Sequence, residues 1–218
     1  MPASTPEKVR IYRFTHVDNL ATILRRGAMH APNHMPNDGL AMRFTHSAEV
    51  QKARGERSIE VGPRGTVHDY VPFYFGLCSP MMLNLKTGRV QGYNEGQRPL
   101  IYLVADARRV HESGCKYVFT DGQALSAISR QFDDIGHLSE IDWQVVGSRH
   151  WANTFSDGDR QRRKQAEFLV HKAMPWSLIT AVAVFDRTIE AEVTATLAEF
   201  GPEMKKPVKV MRDWYFRE

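Results

Sequence analysis

The sequence predicts an α+β fold in one domain spanning residues 1–218, and three observations carry that expectation. The length of 218 residues is enough for one well-filled core and short for two. Stretches that alternate like strands outnumber stretches with helical spacing, and no βαβ rhythm repeats, so a doubly wound parallel sheet is not expected. Composition is that of an ordinary soluble globular chain, 42% hydrophobic and 25% charged with a mean hydropathy of −0.42, which calls for a packed core.

The elements follow in order. "IYRFTH" alternates as a short strand, and then the period changes: Val17, Leu20, Ala21 and Leu24 have helical spacing. Arg25 and Arg26 suit the last turn of that helix, and Gly27 stands where a left-handed cap belongs. His16 is therefore expected at a strand-to-helix junction. From Ala28 to Thr66 the pattern dissolves into Pro, Gly, Asn, His and charge, with Ala48 to Arg54 as a short helix. So long an irregular stretch in a compact domain reads as a binding loop. "YVPFYFGL", "LIYLVA" and "YVFT" read as strands, while residues 124–132 and 142–150 read as helices. "NTFSDGDRQ" is a loop. "AEFLVHK" and "LITAVAVF" are strands, residues 189–200 a helix, and "PVKVMRDWYF" a last strand opened by a proline.

Several chemistries are excluded by motif. GxGxxG, GxxxxGK[ST] and GxSxG are all absent, which removes the Rossmann, P-loop and α/β-hydrolase readings. His30 and His34 stand four apart, but Pro32 and Pro36 break the helix a metal pair would need, so no metal is expected. Cys78 and Cys115 lie in no paired spacing and read as reduced packing residues. No apolar run approaches the roughly 20 residues of a membrane helix. The opening MPASTPEKVR is polar where a signal peptide would be apolar, so the expected address is the cytoplasm, with no membrane contact.

Lys and Arg number 29 against 25 Asp and Glu, a net charge of +4. The positive charge collects at Arg160, Arg162, Arg163 and Lys164, and again from Lys205 to Arg217 around Trp214, Tyr215 and Phe216. A basic surface with aromatic relief fits an anionic partner, and equally a solvated rim around an edge strand.

One acid stands apart. Glu167 opens a strand in which Phe168 and Val170 face one way and Leu169 the other, so its carboxylate is held at a strand start. Its company is His16, Arg54 in the irregular loop, and the neighbours Tyr74 and Phe75. These two must point to opposite faces, and Tyr74 is the one expected in a cleft.

At larger scale, "YRFTHVDNLATILRRG", "HDYVPFYF" followed by "SPMM", "YVFTDG" and "GDRQRRKQAEFLVHKAMPWSLI" together resemble the DarT family, DNA ADP-ribosyltransferase toxins of bacterial toxin–antitoxin systems. The resemblance runs from about Ile11 to Tyr215. It implies the ADP-ribosyltransferase fold, two small sheets around an NAD cleft with flanking helices. It also implies a reaction in a bacterial cytoplasm: NAD is cleaved at its nicotinamide glycosidic bond, and ADP-ribose is attached to thymine or guanine in single-stranded DNA. NAD is then a co-substrate. The implied partner is a macrodomain antitoxin that removes the ADP-ribose, and the expected oligomeric state is a monomer.

Carried onto this chain, the resemblance makes Glu167 the catalytic glutamate and Arg54 the catalytic-loop arginine, with Arg57 as its rival. His16 becomes the NAD-contacting histidine, and Thr15, Asn19, Leu24, Arg54 and Tyr74 complete the expected NAD set. The acceptor segment, residues 121–159, precedes the glutamate strand. Gln123, His150, Trp151 and Asn153 are its expected base contacts, with Arg160, Arg162 and Arg163 on phosphate, and Met81, outside the segment, joins the expected DNA-binding set. The chemistry suits these groups. Loss of nicotinamide leaves positive charge on the ribose, which a nearby carboxylate stabilises, and a guanidinium clamps phosphate with two parallel bonds where lysine offers a point charge. Two readings stay beside this one: an ADP-ribosyltransferase acting on protein or RNA, and a noncatalytic module that binds single-stranded nucleic acid.

Overall fold

The computed structural model describes residues 4–217, so the first three residues of the polar opening lie outside it. In chain order the elements are β1 (Arg10–His16), α1 (Asn19–Arg26), β2 (Ala28–His30), α2 (Ala48–Glu56), β3 (Ser58–Ile59), β4 (Gly65–Thr66), β5 (Tyr70–Tyr74) and α3 (Pro80–Lys86). Then come β6 (Leu100–Asp106), α4 (Ala107–Glu112), β7 (Tyr117–Thr120), β8 (Gln131–Phe132), α5 (Trp143–Gly147) and α6 (Arg160–Lys164). The chain finishes with β9 (Glu167–His171), β10 (Ala173–Pro175), β11 (Ala181–Val184), α7 (Arg187–Glu199) and β12 (Val208–Val210).

Eight strands form one sheet in the order β12-β11-β6-β1-β5-β9-β7-β8, with all neighbours antiparallel except β11 and β12. The sheet is nearly two. β1 pairs with β6 along its whole length, from Arg10 opposite Asp106 to His16 opposite Leu100. Toward β5 it shares a single register pair, Tyr12 with Tyr74. Pro72 supplies the physical reason for the split. Proline has no N–H to give a ladder, and the Pro72 carbonyl is taken by the Arg13 guanidinium at 3.0 Å instead of by a β1 amide. The two expected sheets are thus the halves of one sheet, joined at a point and parted beyond it.

Strand alternation sorts the core. Ile11 on β1, Ile101, Leu103 and Ala105 on β6, and Phe168 and Val170 on β9 join the main apolar cluster, which Leu20, Ile23 and Leu24 of α1 and Ile189, Val193 and Leu197 of α7 complete. Tyr102 and Leu100 point the other way, onto Met82 and Leu85 of α3. Leu169 faces a third cluster with Tyr70 and Val118. The α1 stop is as the sequence implies, with Gly27 at φ 64° and its N–H donating to the Leu24 carbonyl.

Three expected elements differ. The helix over 124–132 is absent: that segment is a run of turns leading into β8. Its carbonyls are claimed by side chains, Ala124 and Ser126 by the Arg57 guanidinium and Gln123 by the Ser129 hydroxyl, so the helical ladder does not form. The helix over 142–150 is only Trp143–Gly147, capped by Asp142 and ended where the Lys164 ammonium takes the Val146 and Ser148 carbonyls. The last strand stops at Val210, and the chain turns Tyr215 inward, 1% exposed, with its hydroxyl donating to the Leu100 carbonyl at 2.7 Å. Trp214 packs edge-on against Tyr12 and Tyr102. The aromatic relief expected beside the basic tail is therefore largely core.

Gly76 sits where β5 meets α5. A Cβ there would lie 2.5 Å from the Val146 carbonyl oxygen and 3.2 Å from the Lys164 nitrogen. Gly76→Ala should destabilise the fold by about 1–3 kcal/mol, the usual cost of forcing an extra methyl into a packed site. A thermal melt that leaves the midpoint unchanged would contradict it.

Candidate active site

The parted halves of the sheet open onto a cavity of about 350 Å³, within the size range of small-molecule sites. Glu167 lies at its wall and is 1% exposed. Its Oε2 accepts from Arg54 Nη2 at 2.9 Å, and its Oε1 accepts from Arg54 Nη1 at 3.4 Å and from the Ala124 N–H at 3.0 Å. The Arg54 side chain is 11% exposed, so this is a buried, two-pronged ion pair.

Each partner is placed by local structure. β9 presents Glu167 opposite Tyr74 in the ladder, and the Glu167 N–H donates to the Thr120 hydroxyl. Arg54 extends from the last turn of α2, which Ser47 caps by accepting the Val50 N–H. The rival Arg57 is occupied with the Ala124 and Ser126 carbonyls and so braces the turn that carries the Ala124 N–H to Glu167. Burial alone would depress the Arg54 guanidinium, but the Glu167 carboxylate outweighs it and leaves Arg54 raised above its ordinary value. Arg54 is therefore a firm cation while Glu167 stands beside it. Burial, with Glu167 adding, also pushes the Tyr74 phenol well up, so Tyr74 is a neutral hydroxyl.

Thr15, Asn19, Tyr74, Met81 and Gln123 line the same cavity. Tyr74 stacks at 6.2 Å on Phe14, while Phe75 packs edge-on against Phe119, Phe168 and Trp143 on the other face, as strand alternation requires. Asn19 lines the cavity with its amide already committed. Its Nδ2 donates to the Thr15 hydroxyl and the Arg43 carbonyl, and its Oδ1 accepts the Arg43 N–H, so it pins the loop that forms one wall.

Other expected residues stand elsewhere. Leu24 is 1% exposed in the main core, on the inner face of α1, and is not in the cavity lining. The His16 ring is 2% exposed and also outside the lining. Its Nδ1 accepts the Asp18 N–H, and its Nε2 lies 3.4 Å from Glu95. Arg13 and Thr15 share the alternate positions of β1 and both line the cavity. Phe14 between them lines it as well, so period-2 alternation alone does not select Arg13. Gln161 and Gln165 line the cavity too, and the sequence offered no cue for them.

His150, Trp151, Asn153 and the arginines of α6 lie outside the lining. Trp151 donates its indole N–H to the Cys78 carbonyl, and Asn153 accepts the Gln161 N–H. The arginines expected on phosphate are held by acids: Arg162 by Asp121 and Asp159, and Arg163 by Asp142 and Asp157. Arg160 donates to the His150 carbonyl at 2.7 Å. Charge in the sequence "RQRR" does not become free charge at the surface because aspartates meet it from four separate positions.

His46, at the cavity wall, is pulled down to about 4 by burial, with the Arg13 charge adding. The unfolded chain takes up this proton as pH falls through about 6.5, whereas the folded protein resists it until about 4. Stability is therefore lost as pH drops across that window. His46→Gln should flatten the dependence of the melting midpoint between pH 6.5 and 4, and an unchanged slope would exclude the effect.

A sheet parted at a proline, with an arginine–glutamate pair buried at the wall of the opening, is an α+β architecture with one charged cleft, and solved ADP-ribosyltransferases share that fold. Comparison with known proteins narrows the class. A family model described as "DarT: ssDNA thymidine ADP-ribosyltransferase, DarT" matches residues 12–216. A DNA ADP-ribosyl transferase of Thermus aquaticus is 38% identical over 98% of this chain and 91% of its own length. The solved structure of Thermus sp. 2.9 DarT in complex with ADP-ribosylated single-stranded DNA superposes with a TM-score of 0.91 at 37% identity, covering 99% of this chain and 100% of that one. The NAD+ complex of the same Thermus protein gives 0.86 at 35% identity, covering 98% and 100%. The chain belongs to the DarT family.

Proposed function

We propose that this protein is a DNA ADP-ribosyltransferase that binds NAD in the cavity, releases nicotinamide and joins the ribose C1′ to a ring nitrogen of thymine in single-stranded DNA. The Arg54–Glu167 pair, buried at the wall of the cavity, carries the reading. The family's description names thymidine, which favours thymine over guanine. In the reaction the C1′–nitrogen bond breaks and its electron pair leaves with nicotinamide. C1′ becomes cationic, the base nitrogen donates its lone pair to form the new bond, and the ring proton departs.

Glu167 holds negative charge next to the developing cation and accepts a ribose hydroxyl. Arg54 and the Ala124 N–H fix the carboxylate's direction before substrate arrives, so little reorganisation is left for the moment of bond breaking. Tyr74, neutral and stacked on Phe14, offers a flat wall for the departing pyridine ring.

Incubating the protein with NAD and a mixed-sequence single-stranded oligonucleotide tests the reading by mass spectrometry. The expected product is heavier by one ADP-ribose, and fragmentation places it on thymine. Free ADP-ribose with unmodified oligonucleotide would instead make the protein an NAD glycohydrolase. Modification of protein or RNA alone would move it to another acceptor.

The described residues include no helix long and apolar enough to cross a membrane. The proposed setting is the bacterial cytoplasm, with the protein as a monomer acting as a toxin. Its partner there is a macrodomain antitoxin that removes ADP-ribose from DNA. Membership of the DarT family supports that partner, because a modified template base harms the cell that makes the enzyme.

A further inference from the structure

Phe155 has no role in the site described above, and its exposure is unusual. Its relative exposure of 110% means the ring projects freely from the chain, and the other exposed large apolar residues among those described, Phe44, Val50 and Ile128, show 38–70%. It sits at the tip of a tight turn. The Thr154 N–H donates to the Asp157 carbonyl at 3.0 Å, and the Asp157 N–H donates back to the Thr154 carbonyl at 3.3 Å and hydroxyl at 3.1 Å. Phe155 and Ser156 are the two residues between.

The turn is braced from below. Arg163 clamps the Asp157 carboxylate while also reaching Asp142, and Arg162 holds Asp159 at 2.7 Å. Asn153 accepts the Gln161 N–H at 2.9 Å, and Gln161 lines the cavity that contains Glu167. The loop is therefore rooted at the rim of the active-site cavity and held by ion pairs that leave its tip bare. A Phe on a slack loop folds back onto apolar surface, whereas a braced one stays presented, with little ordering cost on binding.

We propose that Phe155 is a stacking platform for a nucleobase of the single strand beside the base being modified, an inference that rests on the DNA-transferase reading above. Two observations favour a base over a phosphate at this tip. The arginines beneath are spent on aspartates, so the turn offers little free positive charge. What it does offer is a flat apolar ring, which any base can cover regardless of sequence. Such a contact adds affinity without releasing counterions, so it is insensitive to salt, unlike contacts made by free arginine or lysine.

The test compares Phe155→Ala and Phe155→Trp with the parent. Oligonucleotide binding is measured by fluorescence anisotropy at two salt concentrations, and KM for oligonucleotide and for NAD by transfer assay. Both variants keep the parental melting midpoint, since the ring makes no packing contact to lose. Phe155→Ala should weaken oligonucleotide binding roughly 5- to 150-fold, the range of one lost stacking contact. KM for NAD, kcat at saturating oligonucleotide and the salt slope should all hold, and Phe155→Trp should restore binding. An oligonucleotide with abasic sites flanking its thymidine should bind parent and Phe155→Ala alike. Unchanged binding in Phe155→Ala, a steeper or shallower salt slope, failure of Trp to rescue, or a loss that persists on the abasic strand would each overturn the proposal. A parent that binds the strand but transfers nothing overturns the transferase reading instead, and the binding arm still decides the platform.

Discussion

Glu167→Gln lowers the rate of ADP-ribose transfer by roughly 100-fold or more, the order lost with one preorganised electrostatic contact. Gln keeps the size and the hydrogen bond from Ala124 but removes the negative charge that faces the ribose as it turns cationic. The loss should appear in kcat, read by single-turnover transfer, with the NAD requirement little altered because the cavity keeps its shape. The substitution also removes the negative partner of a buried Arg54. Arg13, itself pulled down to about 10 by burial and by the Arg54 charge, lines the same cavity. Two cations then share the opening without a carboxylate between them, and a destabilisation of about 3–5 kcal/mol follows, the range for breaking a buried pair at one end. Parental transfer rates in Glu167→Gln would remove the acid from the mechanism.

The second large effect belongs to Arg54. Arg54→Ala leaves Glu167 buried with the Ala124 N–H as its remaining donor, and the uncompensated carboxylate costs about 3–5 kcal/mol. The carboxylate also loses the guanidinium that fixes its direction, so activity should fall with stability. Arg54→Lys restores a cation but makes one bond where the guanidinium makes two. It should recover part of the stability, while the transfer rate stays below parental because one bond orients the carboxylate less firmly than two. A double-mutant cycle gives the decisive measurement: Arg54→Met with Glu167→Gln should be more stable than Arg54→Met alone, because the second change removes the stranded charge. Strictly additive losses would show that the two side chains do not act as a unit.

Much of this was legible in the chain. Glu167 at a strand start, the opposed directions of Tyr74 and Phe75 and the α1 stop at Gly27 follow from period and cap chemistry, and the geometry agrees with each; Arg54, singled out through the DarT resemblance, lies beside Glu167. Where the reading failed, long-range contacts had overruled local ones. Residues 124–132 carry helix formers, yet Arg57 from a distant loop takes two of their carbonyls. The arginines of α6 look like a phosphate patch until Asp121, Asp142, Asp157 and Asp159 arrive around them. Trp214 and Tyr215 look like surface aromatics beside a basic tail until Leu100 and Tyr102 bury Tyr215 and Tyr102 covers part of Trp214.

Backbone periodicity and residue chemistry are properties of neighbours along the chain, and they sufficed to specify the longer strands, the helices α1, α2 and α7, and the strand that Glu167 opens, but not the short helices α3, α4 and α6. Which cation meets that glutamate, and which faces of β1 and β5 look into open space, depend on residues 113 apart for Arg54 and Glu167 and 59 apart for Arg13 and Pro72. Only packing of the whole chain brings such groups within bonding distance. The cleft itself exists because a proline without an N–H stops two strands from closing on each other.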